Sequence, residues 1–115
     1  MVIVMLADVS GELHQQAFQA AVQALIQRQP LLRCHIKSLH SGPAWVPLDD
    51  PFDPVVWTTV SREELVQSWP TVQPLDIRSG PGLRIHVWCS PTASRISFEL
   101  HHACADGIAA VQLLN

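Results

Sequence analysis

Apolar and polar positions change period several times along this 115-residue chain, and each change marks an element. Val2 to Asp8 is an apolar run broken at Asp8, too short to span a bilayer and lacking the charged start and cleavage site of a leader. It predicts a buried strand, which Ser10 and Gly11 end. In ELHQQAFQAAVQALIQRQ, Phe18, Val22, Leu25 and Ile26 share one helical face, while Gln15, Gln19, Gln23 and Gln27 recur every four residues on another. That spacing predicts a helix over 14–28. Pro30 ends it by disfavouring helical backbone at Gln29.

The period then shortens to two. LLRCHIKSL places Leu32, Cys34 and Ile36 on one face and Arg33, His35 and Lys37 on the other, a half-buried strand. HSGPAW is a turn, AWVPL a short partner strand, and DDPFDP a loop. VVWTTV is β-branched enough for a strand. Ser61, with Glu64 three residues on, caps a short helix over SREELVQSW. Pro70 to Gly82 carries three prolines and two glycines and predicts an irregular connection.

LRIHVWCS (Leu83, Ile85, Val87, Cys89 inward) and RISFELH (Ile96, Phe98, Leu100 inward) form a hairpin across Pro91 to Ser94. A last helix, IAAVQLLN, starts after Gly107. The order β-α-β-β-β-α-β-β-α predicts an α+β or mixed α/β layered domain. The expectation is one sheet built from VIVMLAD, LLRCHIKSL, LRIHVWCS and RISFELH, with the 14–28 helix on a face. Phe18, Val22, Leu25, Ile26, Ile85, Val87, Phe98 and Leu100 are expected among the most buried side chains.

Composition narrows the partners. Hydrophobic residues are 48% and charged residues 15%, enough apolar content for one core at this length. Seven Lys and Arg against ten Asp and Glu leave a net charge of −3 with no basic cluster, which argues against nucleic acid or an anionic membrane as partner. Three cysteines, Cys34, Cys89 and Cys104, without CxxC spacing, read as reduced packing thiols in a cytoplasmic protein.

The chemistry concentrates in ELHHACADGIAAVQ. Alternation puts Ser97, Glu99 and His101 on the face opposite Ile96, Phe98 and Leu100, and His102 falls where the strand gives way to the turn. A strand end anchors the backbone while a side chain projects into a cleft. A neutral imidazole there fits a general base, since its pKa lies near the working pH. Asp106 suits pairing with a cation or with backbone amides, and Gly107 permits positive φ or close backbone approach. Histidines at such junctions also serve as capping or core residues. His101, His102, Cys104 and Asp106 carry metal donors, but adjacent histidines on extended chain point apart and no second ligand pair exists, so no metal is assigned.

HHACADG resembles the HHxxxDG signature of the condensation-domain superfamily, whose fold is shared by chloramphenicol acetyltransferase and alcohol acyltransferases. RQPLLR (Arg28 to Arg33) resembles that superfamily's RHPxLR segment, and PLDIRSGPGLRIHVW (Pro74 to Trp88) its strand entry before the histidines. The resemblance spans 1–115 but only the amino-terminal half of the family's two-lobed fold, which implies a truncated domain whose second lobe, and half its active-site tunnel, are missing.

It implies acyl transfer from a coenzyme A or carrier-protein phosphopantetheine thioester to a hydroxyl or amine, with no permanently bound cofactor. His102 would be the base and His101 would support the loop. Asp106 would hold the loop through an arginine, Arg28 or Arg33, and Gly107 would leave room at the tunnel. Two other classes compete: a non-catalytic interaction module that keeps the fold, and a small metal-binding protein. A lost lobe also implies exposed apolar surface near the histidines and a tendency to self-associate.

Overall fold

A computed structural model describes residues 2–49, 52–71 and 73–114, with side chains through residue 108. The elements run β1 (Val2–Ser10), α1 (Gln15–Arg28), a 3-10 turn (Pro30–Arg33), β2 (Cys34–Leu39), β3 (Gly42–Pro47), β4 (Val55–Thr59), α2 (Arg62–Val66), β5 (Leu83–Cys89), β6 (Ala93–His101) and α3 (His102–Leu114). The class is α+β, as expected.

Four strands form the main sheet in the order β1-β6-β5-β4, and β2 and β3 form a separate hairpin. This corrects the expected sheet: LLRCHIKSL does not join it, and VVWTTV does. Pro30 opens a 3-10 turn that takes up Leu31 to Arg33, so extended backbone starts only at Cys34 and has β3 as its partner (Cys34↔Pro47, Leu39↔Gly42). Gly42, at φ +113°, supplies the left-handed backbone that this tight hairpin requires. β4 instead lies parallel to β5, with Val55 opposite Ile85, and α2 lies on the crossover between them.

The core sits between α1 and one sheet face. Val22 and Ile26 of α1 pack with Leu83, Ile85, Val87 and Cys89 of β5, Ile96 of β6 and Leu32 of the 3-10 turn. Ile85 and Val87 are fully buried. Phe18 meets Trp57 edge-to-face at 6.0 Å, which ties α1 to β4. Phe18, Phe98 and Leu100 are partly buried against this cluster. Leu25 is the exception among the expected core residues. It is 41% exposed, because α1 contacts the sheet on a stripe narrower than the apolar pattern suggested.

β1 pairs with β6 on one side only and leaves Ile3, Met5 and Leu6 substantially exposed. On the other sheet face, Arg95 binds Asp8 at 2.8 Å and donates to the Ser68 carbonyl at 2.8 Å, which fastens the end of α2 across the strands. The Ser61–Glu64 capping box is complete, and the Ser61 backbone N–H holds the Glu64 carboxyl below its ordinary value.

Two glycines seat α3. A Cβ built on Gly82 would overlap Cys104 Sγ and lie 3.1 Å from His101 Cβ and Ile77 Cγ2. One on Gly107 would overlap Leu31 Cδ1. The glycines therefore allow close approach, Gly82 of the β5 entry and Gly107 of the 3-10 turn, to the first two turns of α3. Gly82→Ala should destabilise the chain by about 1–3 kcal/mol, the usual range for overpacking. The same substitution in a Cys104→Ala background should cost clearly less, as measured by urea denaturation. Equal costs in the two backgrounds would show that the Gly82–Cys104 approach does not govern this site.

Candidate active site

The histidine pair lies at an abrupt switch from strand to helix. His101 is the last residue of β6, where its backbone N–H donates to the Gly82 carbonyl at 2.8 Å. His102 is the first residue of α3. This corrects the expected helix start after Gly107. Ala103, Cys104 and Ala105 contain no breaker, and the His101 ring accepts a hydrogen bond from the Ala103 N–H at 3.0 Å through Nδ1. That bond satisfies one of the free amide donors at the helix start, the service that Ser, Thr, Asp or Asn usually performs. Gly107 then sits inside the helix, where glycine costs about 1 kcal/mol relative to alanine. Its φ is not positive; close approach to Leu31 is what selects it.

Starting the helix at His102 has a geometric consequence. His102 and Asp106 become i,i+4 neighbours on one helical face, and Nδ1 of His102 lies 2.9 Å from Oδ2 of Asp106. Both side chains are open to solvent, at 47% and 68% exposure. The expected partners of Asp106 are therefore corrected. Arg28 closes the last turn of α1 and Arg33 the 3-10 turn, and neither forms an ion pair with Asp106 among the described residues. The loop reading placed Asp106 off any helix and so hid the partner four residues away.

The adjacent imidazoles are thus in different chemical situations. Nδ1 of His101 must be unprotonated to accept from Ala103, and burial pushes this histidine below its ordinary value of 6.5, with the neighbouring His102 lowering it further and Asp76 opposing. The carboxylate beside Nδ1 of His102 favours a proton on that nitrogen, which leaves Nε2 as the basic atom. His102 Nε2 makes no hydrogen bond among the described residues. One histidine holds the backbone; the other presents a half-exposed ring beside a carboxylate.

Cys104 takes no part in that presentation. Its side chain is fully buried against Gly82, and burial raises its thiol above the ordinary value, with Cys34 adding to the rise. A buried, protonated thiol is a poor nucleophile. The four candidate metal donors do not converge: Cys104 faces inward while His102 and Asp106 face solvent, and no group of three such ligands occurs among the described residues. Among those residues no helix is long and apolar enough to cross a membrane.

Gly82 and Leu31 are the residues that the sequence reading missed here. Both lie in segments it had quoted, GPGLR and RQPLLR, yet nothing in a linear pattern shows which glycine faces which side chain.

No family model matches the sequence, and no curated protein matches it. Solved structures do share the fold. The starter condensation domain of rhizomide synthetase RzmA, in a point-mutant form, superposes with TM-score 0.72 at 20% identity over 94% of this chain. The X-domain from teicoplanin biosynthesis gives 0.70 at 16% identity over 87%. The nonribosomal peptide synthetase FmoA3 gives 0.68 at 15% identity over 90%. This chain spans 29%, 23% and 11% of those chains respectively. The fold is condensation-domain-like, as the motif resemblance implied.

Two half-buried histidines predict a pH dependence of stability. His101 and His86 are both lowered from 6.5 in the folded chain, His86 by burial with Glu99 opposing. Just below pH 6.5 the unfolded chain therefore binds more protons than the folded one, and acidification favours unfolding. Their contribution is fully present above 6.5 and is lost as pH falls through the folded-state values. Urea midpoints should fall between pH 7.5 and 5 on the order expected for one or two such histidines, and His101→Gln should flatten the slope. A midpoint that is flat or rises on acidification would contradict the cap.

Proposed function

We propose that this chain is the histidine-bearing part of a condensation-type acyltransferase domain, with His102 as the general base. The supporting observation is the contact of His102 Nδ1 with Asp106, which orients the ring and directs its basic nitrogen outward. The donor in this reading is an acyl thioester of coenzyme A or of a carrier protein's phosphopantetheine, and the acceptor a small hydroxyl or amine.

Nε2 of His102 takes the acceptor's proton as its oxygen or nitrogen attacks the thioester carbonyl carbon. The tetrahedral intermediate then collapses, the carbon–sulfur bond breaks, and the thiolate leaves with the proton returned from the imidazolium. Asp106 stabilises that transient cation, the role an orienting carboxylate has beside a catalytic histidine. A second lobe would complete the cleft above His102 in this reading.

A second reading keeps the fold as a non-catalytic interaction module. It draws on the similarity to the teicoplanin X-domain, which has been solved in complex with OxyB. Release of free thiol from an acyl thioester, dependent on acceptor, separates the two. In the intact two-lobed protein that this reading implies, His102→Ala should lower kcat by about 10² to 10⁴ with thioester binding nearly unchanged. Asp106→Asn should lower kcat by roughly tenfold or more, yet shift stability by less than about 1 kcal/mol, since its ion pair is exposed. His101→Ala should lower both together through the lost cap. A folded His102→Ala variant that transfers acyl groups at the parent rate would remove the catalytic reading.

A further inference from the structure

β1 is an edge strand of the main sheet. It pairs with β6 alone, in an unbroken antiparallel register from Val2↔His101 to Ser10↔Ala93. Two bonds fix which way its backbone groups point. The Gly11 N–H, in line with the ladder, donates to the Thr92 carbonyl at 2.7 Å, so odd-numbered residues of β1 bond to β6. The His101 N–H, opposite Val2, goes to Gly82 on the β5 side and gives the same phase. The N–H and C=O groups of Val2, Val4, Leu6, Asp8 and Ser10 therefore point away from the sheet and have no hydrogen-bond partner among the described residues.

The features that usually blunt such an edge are missing. Val2–Ser10 holds no Lys, Arg or Pro, and its register with β6 contains no bulge. Its one charge, Asp8, is already paired with Arg95 of β6 at 2.8 Å.

The placement of the apolar side chains narrows what can cover β1. Ile3 and Met5, opposite Leu100 and Phe98, lie on the α1 face, and Leu6, opposite Ser97, lies on the other. Met5 is 57% exposed and Leu6 46%. A partner docked on either face would cover one set and leave the other. A strand added at the edge flanks both and also satisfies the outward backbone groups.

The strand's own sequence supplies the complement. When β1 pairs antiparallel with a second β1 about a two-fold axis at Leu6, each outward-facing residue opposes another, as a hydrogen-bonded pair requires. Leu6 then meets the partner's Leu6, Met5 the partner's Ala7 and Ile3 the partner's Val9, apolar against apolar on both faces. Asp8 opposes the partner's Val4, so no like charges face each other across the seam. Such a contact is isologous and closes at two copies.

We propose that β1 is a self-association edge, pairing with β1 of a second copy of this chain about a two-fold axis at Leu6 and joining the two sheets into one. The pairing does not depend on acyl transfer at His102. A nine-residue strand is about 30 Å long, too narrow a strip for the roughly 800 Å² per partner of a standard interface, so the dimer is weak and forms as concentration rises.

Sedimentation of the 115-residue chain from about 10 µM to about 1 mM should show monomer converting to dimer and to nothing larger. Hydrogen exchange at the two ends of that range reads the register. The amides of Val4, Leu6 and Asp8 should exchange several-fold more slowly at the higher concentration, while those of Met5 and Ala7, already bonded to β6, should not change. Leu6→Lys sets two ammonium groups face to face at the axis and should weaken dimerisation about tenfold or more. Val56→Lys, at an exposed position of the opposite edge strand β4, should leave it unchanged. Should Leu6→Lys fail to fold, the exchange pattern of the parent chain decides. A chain that stays monomeric throughout, growth beyond dimers, or a dimer whose Val4, Leu6 and Asp8 amides gain no protection would each overturn the proposal. So would parent-like dimerisation of folded Leu6→Lys, or its loss in folded Val56→Lys.

Discussion

Everything at the candidate site depends on one hydrogen bond, from the Ala103 N–H to Nδ1 of His101. It lets strand β6 pass into helix α3 with no intervening loop. The last ladder bond, His101 to Gly82, and the first helix cap belong to the same residue. Because the helix starts there, Asp106 falls one turn beyond His102 and on its face. A loop of even two residues at this point would separate the imidazole from the carboxylate. The pairing of His102 with Asp106 is thus a by-product of capping chemistry.

The packing beneath enforces the same arrangement. Cys104 is buried against Gly82, and Leu31 takes the space beside Gly107, so the first two turns of α3 are pressed onto the β5 entry and the 3-10 turn. Interiors at this density transmit small displacements. Substitutions at buried Gly82 or half-buried Leu31 will therefore shift the start of α3, where His102 lies. This also gives a physical meaning to the spacing of the three quoted segments. RQPLLR, GPGLR and HHACADG are distant in sequence and form one packed unit in the fold.

The sequence made much of this legible. Period-two alternation in β5 and β6, the glutamine-faced helix and the Ser61–Glu64 box all report local preferences, and each formed where expected. The errors share a cause. Sheet membership of β2 and β4 depends on which edge is free, and the partner of Asp106 on where a helix starts; both are decided by non-local packing. Alternation put Glu99 on the outer face but could not show that it would be buried there beside Arg84. A capping histidine was among the readings open at this junction, but that His101 is the one that caps follows only once α3 starts at His102.

The central claim is that adjacent, chemically identical side chains are held in opposite tautomers, and long-range ¹H–¹⁵N correlation spectra of the two imidazoles at pH 7.5 test it most directly. The account predicts His101 protonated on Nε2, with Nδ1 accepting from Ala103, and His102 protonated on Nδ1 beside Asp106, with Nε2 bare. The same tautomer on both rings, or a proton on Nδ1 of His101, would contradict it.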